Sequence, residues 1–303
     1  MKNSILLICL VIALSASGQV LKVRSVDKVS TPRGHMTNQV AAISPEGDYV
    51  LLCSQSQEGL VLLDLETGTA RVLTTARGAG FGTKVSDDAS TIAFQEVTMG
   101  EDHLLMRSVK SIDLKTASTA TILPPTRELQ GFDLQGNAIA TITGNAMRVK
   151  STDGRNVAAK RPVAGNSNLK LLINVNGTTR QFTPNGEQYS YLWASISPNG
   201  KRVLYYVSEL GCYSCRMDGG DMIALGDLRA PQWLDDNTVV GMRDKDNGYT
   251  ITSSAIIAKT LDGAEQTLTN EHLIALYPQV AARAGKIAFS TLEGDIYIIN
   301  FIK

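Results

Sequence analysis

Two stretches carry residue types at spacings that chemistry uses. Cys212-Tyr213-Ser214-Cys215 has the separation of a redox pair or of half a zinc site, and Asp244-Lys245-Asp246-Asn247-Gly248 sets carboxylates before a glycine, as calcium loops do. The calcium pattern fails on register. Its glycine belongs sixth, whereas Gly248 comes fifth from Asp244, and no glutamate follows at the required distance. Asn247-Gly248 between two β-rich runs is instead a favoured hairpin turn. The cysteine pair has no second pair to complete a zinc site, and Cys53 is the only other cysteine beyond the first stretch of the chain. Hydrolytic chemistry finds no Gly-x-Ser-x-Gly elbow, and the three histidines, His35, His103 and His272, are scattered. Trp193, Trp233, Phe132 and Phe81 stand where aromatics could line a ligand channel, although packing against a neighbouring sheet is the commoner use of such residues.

The elements that would position these residues recur. A tight turn followed by a β-branched or aromatic run begins at Ser44, Ser86, Asp133, Ser197, Leu234 and Ala282; the copies Ser44-Pro45-Glu46-Gly47 and Ser197-Pro198-Asn199-Gly200 are the clearest. The steps between the six copies are 42, 47, 64, 37 and 48 residues, near the ~40–50 of a four-stranded propeller blade. A second motif follows at similar offsets: Asp64-Leu65-Glu66-Thr67-Gly68 before Arg71–Thr74, Asp113 before Ala120–Leu123, and Asp262-Gly263 before Gln266–Thr269. Each is a strand, a turn and an outer strand. The excess in the 64-residue step, around Leu169 to Pro184, is a hairpin turning at Asn176-Gly177. It is read as an enlarged third or fourth blade in preference to a seventh, and the division of residues 145–190 between blades stays open.

In this frame Cys212–Cys215 falls on Leu60–Leu63 of the first unit, inside a strand. Residues i and i+3 of a strand face opposite sides about 10 Å apart, whereas a disulfide tolerates at most about 7 Å between α-carbons. Buried structural thiols are therefore the leading reading, with a disulfide across a bulge and a metal or redox pair as the alternatives.

The succession Ser-Pro-x-Gly, β-run, Asp-x-x-Gly turn and Leu-Thr resembles the WD40-like repeat of TolB-type β-propellers, a fold also found in the propeller domains of prolyl oligopeptidase and dipeptidyl peptidase relatives. The resemblance spans nearly the whole chain after the first stretch. It departs at the third copy, which lacks Ser-Pro, and at the fifth, where Leu234-Asp235-Asp236-Asn237 stands although Pro231-Gln232-Trp233 keeps the usual lead-in. It implies an all-β propeller, and the six copies set the expectation of six blades. The last copy is short by about two strands, and Val20-Leu21-Lys22-Val23-Arg24 alternates apolar and charged residues as a half-exposed strand should. The expectation is that it pairs outside Ile296–Ile302 and closes the ring.

Residues 1–18 have the form of a secretory signal peptide, with Lys2, an apolar run from Ile5 to Leu14 and the small residues Ala16-Ser17-Gly18. The run is shorter than the ~20 residues of a membrane span, so residues 19–303 are expected to form one exported domain, periplasmic or secreted, with no transmembrane segment. Lysine plus arginine and aspartate plus glutamate each number 29, which removes the basic footprint of a nucleic-acid binder. No catalytic, cofactor or metal residue is assigned. The leading functional expectation is a non-enzymatic scaffold binding protein, or glycan, in the cell envelope. A channel-mouth hydrolase or lyase using carboxylates or a metal, and a sensor or gating propeller for a separate peptidase or transporter, are the alternatives.

Overall fold

A run such as Tyr49-Val50-Leu51-Leu52 is apolar at every position, so a strand made of it must be covered on both faces. The computed structural model, which describes residues 19–31 and 38–302, achieves this by stacking small antiparallel sheets around an axis. Val50 and Leu52 pack against one neighbouring sheet and Leu51 against the other, all three fully buried. The signal-like residues 1–18 and His35 lie outside the described residues.

Seven sheets, not six, make up the ring among the described residues. Blades 1 (39–74), 2 (84–126), 5 (191–226) and 6 (229–267) have four consecutive strands; blades 3 (129–151) and 4 (163–182) have three. Blade 7 takes three strands from 275–302 and its outer strand, Lys22–Val29, from the other end of the chain. That strand runs antiparallel to Ile296–Ile302, as expected, from Lys22 opposite Ile302 to Val29 opposite Ile296. Inner strands of neighbouring blades meet all the way round, blade 7 against blade 1 included. Seven clusters of buried side chains fill the seven interfaces, one each.

The six-blade expectation failed on strand parity. In the four-stranded blades the inner strand runs from the face carrying the hairpins between second and third strands to the face carrying the serine turns, and the fourth strand returns the chain to its starting side. We call these the hairpin face and the turn face. Blade 3 has no fourth strand, so the chain leaves Ser151 on the turn face and the next inner strand, Val163–Ser167, runs the opposite way. Arg161 and Pro162 touch the turn of blade 5 at Pro198 and Gly200, whereas Ser167 Oγ donates to Gly144 O, on the hairpin face, at 2.6 Å. Three strands later blade 4 has restored the polarity, and the chain enters blade 5 at Tyr191 like any other blade. The supposed enlargement is therefore a complete blade whose turns point the wrong way for the repeat, so it carries no Ser-Pro-x-Gly copy. The interface between these two blades has the smallest buried cluster, Ala140, Ile142, Met147, Val163 and Leu172, and Gly165 presses there against Ile142.

The repeated serines are structural. Ser44 Oγ accepts from the backbone N–H groups of Asp48 and Tyr49 at 3.1 and 3.2 Å, and Ser197 Oγ from Lys201 and Arg202 at 3.2 and 3.0 Å. Ser86 Oγ accepts from Thr91 N at 2.9 Å. Each fastens a turn to the strand it launches. Asp64 and Asp113 do the same for third-to-outer hairpins, each accepting two backbone N–H bonds.

Candidate functional site

The cysteines lie where the alignment with blade 1 places them. Gly211–Arg216 pairs with Arg202–Val207 without a register break, so Cys212 and Cys215 face opposite sides. Cys212 joins the core between blades 5 and 6, and Cys215 that between blades 4 and 5. Both, and Cys53, are buried free thiols. Burial pushes Cys212 far up, Cys53 to about 12 and Cys215 to about 11, the opposite of what a thiolate nucleophile or metal ligand requires.

Asp244–Gly248 forms the end of a blade 6 hairpin in which Asp246 and Asn247 hold the turn, while Asp244 Oδ1 is buried without a hydrogen-bond partner. Asp246 Oδ1 accepts from Gly248 N at 2.8 Å, and Asn247 Oδ1 from Tyr249 N and Thr250 N, both at 3.0 Å. Asp244 points into the protein, 1% exposed, with Oδ2 at 2.6 Å from Arg229 Nη1. Three of the four aromatics singled out serve packing. Trp193 lies edge-on to Tyr206 with centroids 5.3 Å apart, and Trp233 and Phe132 pack against the cores beside blades 6 and 3. Phe81 is half-exposed.

What sequence reading missed is a bulge on the inner strands. The pairing of inner with second strand shifts at 40–42, 129–131, 192–195, 229–232 and 276–279. At three of these sites a residue adopts positive φ: Trp193 at 51°, Ala230 at 46° and Tyr277 at 51°. Such bulges re-aim side chains. Their only sequence trace is the Pro231-Gln232 and Pro278-Gln279 lead-in.

A concavity of about 540 Å³ forms the turn-face mouth of the central channel. Elements distant in sequence bring Lys84, Asp87, Arg161, Gln232, Gln279 and Arg283 to it. Arg161 donates to Pro198 O of the next blade, and Arg283 of blade 7 to Asp87 O of blade 2, past the intervening blade 1; these tethers aim the guanidinium groups. Arg283 also lies 3.2 Å from Glu46, and Lys84 3.9 Å from Asp133. Gln232 and Gln279 bond each other at 3.2 Å on the channel wall. Among the described residues Asp87 is the one carboxylate lining this mouth.

Titration behaviour elsewhere follows structural roles. Every carboxylate whose pKa departs from the ordinary range moves down. Asp88 is held near about 2, chiefly by the Ser86 hydroxyl, Asp153 near about 2 by Ser151, and Glu265 near about 2 by Arg243. The groups that move up are buried thiols and tyrosines and three basic side chains, Lys28, Arg155 and Arg243, each hydrogen-bonded to a carboxylate. Among the described residues no three His, Cys, Asp or Glu side chains converge as metal ligands, and no helix is long and apolar enough to cross a membrane.

No family model and no curated protein matches the sequence. Among solved structures, the β-propeller domain of the Trilobed protease from Pyrococcus furiosus is 14% identical over 82% of this chain and 90% of its own, with a TM-score of 0.57. An oligogalacturonate lyase in complex with manganese is 14% identical over 86% of this chain and 76% of its own, at 0.50. TolB from Acinetobacter baumannii is 14% identical over 86% of this chain and 53% of its own, at 0.48, a superposition too loose to weigh. At these identities the likeness is one of fold, that of a β-propeller, and it does not choose among a protease, a lyase and a binding protein.

Proposed function

We propose that this chain is an exported, non-enzymatic propeller that binds a protein partner in the cell envelope, in the manner of a TolB-like scaffold, through the turn-face mouth of its channel. The observation that carries the reading is the make-up of that mouth: Lys84, Arg161 and Arg283 from three separate elements, against the single lining carboxylate of Asp87. Arg161, anchored through one Nη, keeps its other donors for a partner carboxylate, and Arg283, whose second Nη faces the half-exposed Glu46, can exchange that pair for one with the partner. Acid–base catalysis asks for titratable groups whose environments drive their pKa values apart; here the displaced carboxylates cap turns or pair with bases, and the thiols are inert.

The test is co-purification from the native envelope with the tagged chain and with an Arg161→Ala/Arg283→Ala double variant, alongside a turnover screen of the purified protein. The expected result is a stable protein partner held by the parent and lost by the variant. Recovery of no partner, together with turnover of a small substrate, overturns the reading.

A further inference from the structure

On the opposite face, where blades 7 and 1 meet, lies a second concavity of about 230 Å³. Its chemistry differs from that of the basic mouth. Four primary amides, Asn38, Gln39, Gln55 and Gln57, line it together with Tyr277 and Leu292, and among the described residues no charged side chain does. Its two small hydroxyl residues are already engaged: Ser290 Oγ accepts from Val40 N at 2.7 Å, and Thr291 Oγ1 from Asp295 N at 3.1 Å. The amides are not. Asn38 Oδ1 is buried without a hydrogen-bond partner, which is costly for an acceptor removed from water. Two lining residues hold positive φ, Gln57 at 61° and Tyr277 at 51°. A non-glycine residue persists in that region only where its surroundings hold it there. The inner-strand bulge sets Tyr277 there, 38% exposed, and the turn Ser54–Gln57 sets Gln57 there.

We propose that this pocket binds one ring of a neutral sugar. A sugar hydroxyl is both donor and acceptor, and a primary amide offers both from one group. A cluster of amides with no lining charge among the described residues suits several neutral hydroxyls at once, and those residues give neither a cation nor an anion the counter-charge that would offset its desolvation. Tyr277 and Leu292 supply apolar surface for the carbon-rich face of the ring. At about 230 Å³ the pocket falls below the ~300–1,000 Å³ of sites for larger ligands, room for one ring rather than a length of polypeptide. This site is independent of the partner assigned to the turn face.

The experiment is ligand-observed NMR on the full chain with glucose, galactose, mannose and N-acetylglucosamine as probes, and with trialanine for the peptide alternative. The variants are Tyr277→Ala and Gln57→Ala, and a thermal melt establishes that each is folded. Binding of at least one sugar with Kd of order 1 mM or tighter is expected, weakened at least about tenfold in each variant. Gln57→Glu, which brings a charge to the rim, should weaken it too. The proposal is overturned if none of the four sugars binds, if both alanine variants bind as the parent does, or if trialanine alone occupies the site.

Discussion

Lys22 lies directly opposite Ile302, so nearly the whole described chain is enclosed between two residues of one antiparallel ladder. The N-terminal segment is held at a second point. Gln266 Oε1, on the outer strand of blade 6, accepts from the backbone N–H groups of both Val20 and Leu21 at 2.8 Å. Leu21 itself is buried in the core between blades 6 and 7. Removing residues 19–29 leaves Ile296–Ile302 as an exposed edge and opens the ring. The melting temperature should fall by about 10 °C or more, since several kcal/mol are lost from a domain in which 1 kcal/mol moves it ~2–4 °C. Gln266→Ala should lower it by only a few degrees. An unchanged melt of the truncated chain would show that the ladder contributes nothing to closure.

The thiols provide a second check. Cys53, Cys212 and Cys215 are reached by reagent only when the blades open, so native labelling at mildly alkaline pH should run at least about a thousandfold slower than in denaturant. All three should label together once the protein unfolds. Fast reaction of Cys212 and Cys215 alone, or their cross-linking under mild oxidation, would mean that the Gly211–Arg216 strand departs from its regular register.

Stability should depend on acid through Glu265. Hydrogen bonds from Arg243 at 2.7 and 2.9 Å lead the causes that hold its pKa near about 2, below its ordinary 4.5. Lys259 stands 3.1 Å away. A carboxyl whose folded pKa lies below its unfolded one stabilises the fold fully above about 4.5, and that contribution is lost as the pH falls toward about 2. Solvent screening at a pair exposed by about a third reduces it to roughly 1–2 kcal/mol. Urea midpoints of the parent and of Glu265→Gln should differ near pH 7, and the gap should narrow below about 4.5 as the pH falls toward about 3. A gap that stays constant over that range would assign the loss to packing rather than charge.

The parts of this molecule legible in its sequence are those fixed by local chemistry. Ser44, Ser86 and Ser197 hold turns through bonds to residues four or five positions on, and the alternation of Val20–Arg24 announces a strand. Placing Cys212 on Leu60 was enough to foresee its burial. Blade 4 was not legible, because its polarity is set by a strand missing from blade 3 rather than by any residue of its own. The two concavities were not legible either. Arg161 and Arg283 meet one mouth from 122 positions apart, and Asn38 meets Tyr277 only because the ring joins blade 7 to blade 1.

The reversed strand of blade 4 depends on Asn166. Its neighbour across the interface, the inner strand of blade 5, bulges at Trp193, and a bulge leaves backbone groups without ladder partners. Asn166 Nδ2 donates to Tyr191 O at 2.9 Å, and its Oδ1 accepts from Ala194 N at 3.2 Å, one bond on each side of the bulged residue. One side chain thus spans the bulge of the neighbouring inner strand. Asn166→Ala removes both bonds and strands a donor and an acceptor, at about 1–3 kcal/mol. Asn166→Asp keeps the acceptor, loses the donor, and places a carboxylate near Tyr191 O, so its loss should be comparable or greater. Chemical denaturation of both variants, followed by Trp193 and Trp233 fluorescence, would measure the effect. Full stability in the alanine variant would mean that packing alone holds the reversed strand in place.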